Sequence, residues 1–196
     1  QPTNQPTNQP TNQPTNQPEL ERGMRPILDL FLVSNTHSIL SSSVVPDSGC
    51  IPYVTAWEAN NAVSTYVFYD EEQIEKGNSI MIWWKTLVIT YQPKDYFSND
   101  SHNLSLYLHN GAMSNKYTQL FLVATLSKSL KPRYTRGDSI SKKKIQSNFF
   151  SIPVRNQEVD FEFMETFIRA VEKLVIKDLI LRSDKKMSAY NKVVKW

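Results

Sequence analysis

The side chains of this 196-residue chain that could do chemistry are readers and cations. A polar stretch over residues 92–103 holds Gln92, Asp95, Ser98, Asn99, Asp100, His102 and Asn103. Amides such as Gln92 and Asn99 can pair bidentately with adenine in a major groove. The same residue types also build turns by bonding their own backbone, so a self-bonded loop anchored by His102 is the alternative. Residues 128–144 carry seven cations, Lys128, Lys131, Arg133, Arg136, Lys142, Lys143 and Lys144, against one acid, Asp138. Tyr134 and Gly137 lie among them. Cations clustered beside an aromatic suit a phosphate backbone, and the alternative is an ordinary solvated basic surface. Catalytic patterns are missing: there is no Asn/Asp-Pro-Pro-Tyr/Phe methyltransferase tetrapeptide, no Glu-x-Lys nuclease pair and no glycine-rich phosphate loop. Asp184-Lys185-Lys186 has a bare Asp-x-Lys spacing without a placed partner acid, and His37, His102 and His109 do not stand at ligand spacing. The chain reads as a recognition protein without catalysis, metal or cofactor.

Strands must position these groups. Gly77-Asn78 is a turn signal, and residues 80–84 and 87–91 follow as apolar, β-rich runs that read as buried strands. The polar loop 95–103 then leads into a strand over 104–108. Upstream, residues 26–33 read as a first strand, 34–43 as a loop with a solvated His37, 49–54 as a short strand and 63–69 as another. Tyr53 and Trp57 read as packing residues, Asn60-Asn61 as a turn, and the acid-rich residues 70–76 as a solvated one. Downstream, residues 117–130 predict a helix with Leu120, Val123, Ala124 and Ser127 on one face. A run at 150–154 closes the domain, and Pro153 separates it from a second helix. That helix starts at an Asp160 N-cap with Glu162 in its first turn, and runs to about residue 182. Met164, Ile168, Val171, Val175 and Leu179 recur on one face of it. A face so apolar needs a partner surface, unless the helix folds back on its own domain. The basic tail, 185–196, is expected to fray.

Composition sets the frame. Hydrophobic content is 40%, enough for a core once the polar N-terminus is set aside. Residues 1–18 repeat Gln-Pro-Thr-Asn and read as a disordered, polyproline-II-biased linker. Residues 19–156 read as the recognition domain and 157–196 as the C-terminal helix and tail. The single cysteine, Cys50, makes no internal disulfide and fits a cytoplasmic protein. No run of about 18 apolar residues predicts a membrane span, and the net charge of +3 is a weak hint beside its clustering. Gln1 in place of methionine suggests a fragment, with Met24 as another start.

Several of these segments together resemble the target recognition domain of Type I restriction–modification DNA specificity subunits, also found in related single-chain restriction enzymes. The resemblance rests on Ile51-Pro52-Tyr53-Val54, Asn60-Asn61, Gly77-Asn78-Ser79-Ile80, Lys85-Thr86, Tyr91-Gln92, Phe97-Ser98-Asn99-Asp100 and His102-Asn103-Leu104. It continues through Tyr134 and Gly137 and ends at Phe150-Ser151-Ile152-Pro153-Val154. It implies an α+β fold: an irregular mixed sheet with short helices, then a long helix paired in an antiparallel coiled coil. It implies double-stranded DNA as ligand, with Lys85, Gln92, Asn99, Lys131, Arg133, Tyr134, Arg136, Lys142, Lys143 and Lys144 as candidate contacts. It implies a methyltransferase subunit, and a restriction subunit beyond it, as partners through Met164, Ile168, Val171, Val175 and Leu179. The same helix face would pair with a second copy or with a missing N-terminal half. The chain would read one part of a bipartite target. The alternatives are the C-terminal specificity module of a single-chain restriction–methylation enzyme, and an unrelated β-rich ligand-binding domain with Trp57, Trp83 and Trp84 as a stacking platform. Two positions depart from the family pattern: Ala62 and the pair Trp83-Trp84 stand where glycines are usual. Tryptophan does not offer glycine's positive φ or close backbone approach, so the turn before Lys85 must be built differently or forgo a close approach.

Overall fold

A computed structural model of the protein describes residues 20–135 and 137–193, the last three for backbone only. The linker 1–18 lies outside the described residues. In chain order the elements are β1 (Arg22–Pro26), the single turn α1 (Ile27–Leu30), β2 (Phe31–Asn35), β3 (Ile51–Val54), β4 (Val63–Val67), β5 (Ser79–Ile82), β6 (Ile89–Gln92), β7 (Phe97–Ser98) and β8 (Leu104–Leu108). Then follow α2 (Lys116–Leu130), α3 (Lys142–Ile145), β9 (Phe149–Arg155), β10 (Glu158–Val159) and α4 (Phe161–Val193). Short 3-10 turns fill several of the connections. The architecture is α+β with irregular sheets and a long C-terminal helix.

The apolar runs expected as buried strands form the central sheet, in the order β2-β8-β5-β6. Its pairs are antiparallel, with Ile80 opposite both Tyr91 and Leu106. A second sheet, β4-β3-β7, carries the loops on one side, and a third, β1-β9-β10, joins the two ends of the domain. The largest core gathers Ile27, Phe31, Ile82, Leu106, Leu126, Phe150 and Met164, among others. Two smaller clusters, one around Trp83 and Tyr96 and one around Tyr53 and Phe97, fill the space beneath the loops.

Four expectations about elements are corrected. The strand expected over 26–33 is broken by α1. Ile27 and Leu30 are both buried, and their odd separation would put them on opposite faces of a strand, whereas one helical turn buries both. The solvated turn at 70–76 contains the buried Glu75, whose backbone exchanges two hydrogen bonds with Tyr96 (2.8 and 3.0 Å). Its carboxylate accepts from the His37 amide (2.6 Å) and meets His37 Nδ1 (2.8 Å), so His37 is an anchor rather than a free loop residue. On α2 the buried residues are Thr118, Gln119, Leu122, Leu126 and Leu130, a different face from the expected one. Apolar residues line both sides of α2 because α4 covers the other side, where Phe121 meets Phe163 and Phe167 edge-on. Pro153 does not separate domain from helix. It lies inside β9 opposite Arg22, and its carbonyl accepts from Asp160 N (3.0 Å).

α4 begins as expected. Asp160 Oδ1 accepts from Phe163 N (2.9 Å), and Arg155 pairs with both Asp160 and Glu162. The helix continues past residue 182 to Val193, through a stretch with neither glycine nor proline. Before it, β9 and β10 are joined by Asn156 and Gln157, both left-handed (φ 52° and 68°). That is the conformation of a two-residue hairpin turn, which favours glycine at its second position. Replacing Gln157 by glycine should therefore raise stability by about 0.5–1 kcal/mol, the left-handed penalty less glycine's own entropy. A urea midpoint that stays level or falls would contradict this account of the turn.

Candidate nucleic-acid interface

The β5–β6 turn and the loop before β8 are locked together. Trp83 N donates to Val88 O (3.0 Å), Leu87 N donates to Trp83 O (2.9 Å), and the left-handed residue is Leu87 (φ 51°). The turn thus places its positive φ away from the two tryptophans. Trp83 fills the smaller core beneath. Trp84 sends its indole N–H to Asp100 Oδ2 (2.8 Å), and its ring meets that of His102 at a tilt of 36° with 5.0 Å between centroids. Lys85, exposed, holds its ammonium 4.6 Å from the centre of the Trp84 ring. Across the gap, Asp100 Oδ1 accepts from His102 N (2.8 Å), and the buried Asn103 amide donates to Ser98 Oγ (3.2 Å) and Asn99 Oδ1 (3.3 Å). His102 anchors the loop, as expected.

The candidate readers part ways here. Gln92 is 1% exposed and donates to Asn61 O (3.1 Å) and Thr90 Oγ1 (2.8 Å), so it holds the 55–62 loop and is withdrawn from any surface. Asn99 is half-buried at the lip beside Lys85 and Asp100. In the 55–62 loop, Asn60, Asn61 and Ala62 are all left-handed (φ 50°, 51° and 66°). Ala62 therefore adopts the conformation for which glycine is usual, and its methyl is buried in the Trp83 cluster. Trp57, expected to pack, is 57% exposed and belongs to none of the three core clusters; its amide bonds back to Thr55 O (2.6 Å) within the loop. At Gly77 a side chain would run into the backbone of Lys94, and Gly77 N donates to Asp95 Oδ1 (2.8 Å).

The basic segment forms a second, separate cluster. Arg133 donates to Asn148 Oδ1 (3.2 Å), the Asn148 amide donates to the Tyr134 hydroxyl, and Lys144 pairs with Asp138 beside the Tyr134 ring. Arg133, Tyr134 and Lys144 are therefore partly committed to shaping the segment. Lys131, Lys142 and Lys143 are exposed and form no ion pair among the described residues. Arg136 lies outside the described residues.

The partner face of α4 also divides. Met164 is fully buried in the domain's own core and is not offered to a partner. Ile168 is half-buried. Val171 is exposed, and beyond it Val175 (53%) and Leu179 (60%) stand in solvent with Leu174, Ile176, Ile180 and Leu181. The base of the helix is clamped to α2 by Lys116–Glu172 (2.6 Å) and by Arg169 packed 3.8 Å from the centre of the Tyr117 ring. Sequence reading missed this clamp, since residues far apart in the chain make it. Among the described residues no helix is long and apolar enough to cross a membrane, and no group of three or more His, Cys, Asp or Glu is placed to hold a metal.

A family model described as Type I restriction modification DNA specificity domain matches residues 21–182, and one described as PT disordered repeat matches residues 1–21. No curated protein sequence matches the chain. Among solved structures, the fold is similar to a Type-I restriction-modification S subunit from M. genitalium, at 14% identity and a TM-score of 0.56, covering 88% of this chain and 43% of that one. It is similar to the HsdS subunit from Thermoanaerobacter tengcongensis, at 10% identity and a TM-score of 0.56, covering 88% and 42%. A chain from a study of complex assembly and conformational transition in the type I R-M system gives 12% identity and a TM-score of 0.59, covering 88% and 43%. This chain thus spans less than half the length of each.

The Asp100 lock makes a pH prediction. Burial works against the Asp100 charge, but the His102 amide, the Trp84 indole and the His102 ring outweigh it and hold the carboxyl below its usual range. The Gly77 amide does the same for Asp95. A carboxyl depressed in the fold adds stability that is present above the unfolded value, about 3.9, and lost as pH falls through the folded one. Urea midpoints should therefore drop below about pH 4, and Asp100→Asn should flatten part of that drop. Identical acid limbs for the two proteins would show that the lock adds no stability.

Proposed function

The chain belongs to the family of Type I restriction modification DNA specificity domains, and from that premise we propose that it is half of a specificity subunit. It reads one part of a bipartite DNA target without catalysing a reaction, and it directs methyltransferase and restriction subunits there. The observation that carries this reading is α4. It leaves the core at Met164 and carries a continuous apolar surface from Val171 to Leu181 into solvent. Over 174–181 that surface runs nearly all round the helix, interrupted by Lys177 and Asp178, which is the pattern of a helix meant to be covered. We assign the cover to an equivalent helix, from a second copy or from another part of a longer protein, together with the methyltransferase subunit. Lys131, Lys142 and Lys143 supply attraction to the DNA backbone that carries no sequence information.

Two measurements test the two halves of this reading. Replacing Lys142, Lys143 and Lys144 by alanine should lower the slope of log affinity against log salt by about 0.9 for each phosphate no longer neutralised, with target preference intact. An unaltered slope would take this segment out of the interface. Val175→Asp with Leu179→Asp should abolish helix pairing and methyltransferase association, because a carboxylate buried in an apolar seam costs several kcal/mol. Both positions are exposed in the single chain, so the domain itself should keep its melting temperature. Association that survives both substitutions would refute the paired helix.

A further inference from the structure

Between α2, β9 and the first turns of α4 runs a groove of about 220 Å³. That volume is below the roughly 300–1,000 Å³ of small-molecule sites and suits one or two side chains of a peptide. Its floor is aromatic. Phe163 and Phe167 stack at 5.8 Å between ring centroids, and both meet Phe121 edge-on. Ile152 and Pro153 line the side formed by β9. Thr125 turns its hydroxyl to the carbonyls of Phe121 and Leu122 (3.3 and 3.1 Å), so the floor presents little that is polar. Phe121 and Phe163 are half-buried and Phe167 is 47% exposed, which leaves the rings open to solvent.

Two cations stand over this floor: Arg22 at the start of β1 and Lys128 in the last turn of α2, both exposed. Neither enters an ion pair among the described residues, and no acid lines the groove. An aromatic centre with charge around it is the anatomy of a protein–protein contact. A DNA backbone would meet the two cations and leave the phenylalanines bare. The cations also choose the charge of the occupant, since complementary potentials favour a contact and like charges oppose it. An equivalent helix running antiparallel along α4 would bring its exposed Lys185 and Lys186 toward this end, so a second copy is disfavoured here. Seven-residue steps lead from Phe167 to the exposed Leu174 and Leu181, so the groove is continuous with the apolar surface of α4. We infer that the groove docks an acidic, apolar segment of a different protein. One large apolar side chain of that segment lies on the phenylalanines, and neighbouring carboxylates face Arg22 and Lys128. The inference adds an anchor beside the helix-covering surface already proposed, and it rests on the groove rather than on the reading of DNA.

The test is selection from a random peptide pool by the full chain, unmodified and with Arg22→Glu and Lys128→Glu together. The unmodified chain should enrich peptides with Asp or Glu beside a large apolar residue. The best of these, made synthetically, should bind the double variant about tenfold more weakly or worse. If the double variant fails to fold, Lys128→Glu alone decides, because that side chain is exposed on α2. Reversing Lys142 and Lys143, cations elsewhere on the surface, should leave the affinity unchanged, as should Val175→Asp with Leu179→Asp. The second pair separates the groove from the helix-covering surface, so either reading can fail without the other. A loss of the same size on reversing Lys142 and Lys143 would mark general charge attraction and overturn the inference. Enrichment of nothing, or of apolar peptides without acids, overturns it as well. So does a double variant that keeps its peptides but lowers the salt slope of DNA binding, because that marks a phosphate contact.

Discussion

Residues from Ile27 to Met164 meet in one apolar core, and the rest of the molecule depends on that convergence. The core draws on the central sheet, on α2 and α3, on β9 and on the first turn of α4. At about 25 cal/mol per Å² of apolar surface buried, such a cluster is the main term holding the domain together. It also sets directions. Met164 in the core fixes where α4 starts, and the Asp160 cap with the Arg155 ion pairs fixes how it starts. The helix then leaves the domain with its apolar side chains still uncovered. Large continuous apolar surfaces are uncommon on the outside of a folded domain, and this one is the feature on which the proposed pairing of α4 rests.

The loops above the core answer to a second constraint, that buried polar groups be paired, and among the described residues only Trp83 Nε1 and Gln119 Oε1 are buried side-chain atoms without a partner. Amide side chains meet it here. Gln92 ties the 55–62 loop to β6, Gln119 ties α2 to Asn78, and Asn103 ties Trp84 N to the 98–103 loop. The residue types best suited to reading bases are thus largely used to hold the loops that present other groups. Of the candidate contacts, Lys85, Lys131, Lys142 and Lys143 remain exposed and Asn99 half-buried.

Much of the framework was legible in the chain itself. The apolar runs at 80–84 and 87–91 and the strand expected at 104–108 became β5, β6 and β8, except that residues 83–84 and 87–88 form the turn between β5 and β6. Asp160 and the apolar spacing after it announced α4, because capping and helical periodicity are local. The asparagine pair at 60–61 announced a left-handed turn for the same reason. The lack of catalytic motifs and the cluster of cations pointed to recognition, and the short segments shared with specificity domains pointed to the family.

Only the tertiary structure decided which face of each element is inside and which polar groups remain available. α2 has apolar side chains on two sides, so its own periodicity could not choose between them; β6 and β9 on one side and α4 on the other settled that Leu122 and Leu126 are fully buried. Gln92 and Asn99 looked alike in sequence, and Met164 looked like Val175. Packing separated each pair, because exposure is a property of the neighbours a residue meets across long chain separations. Composition and local spacing carry the first kind of information, while contacts such as Glu75 with His37 or Arg169 with Tyr117 exist only once the chain has closed.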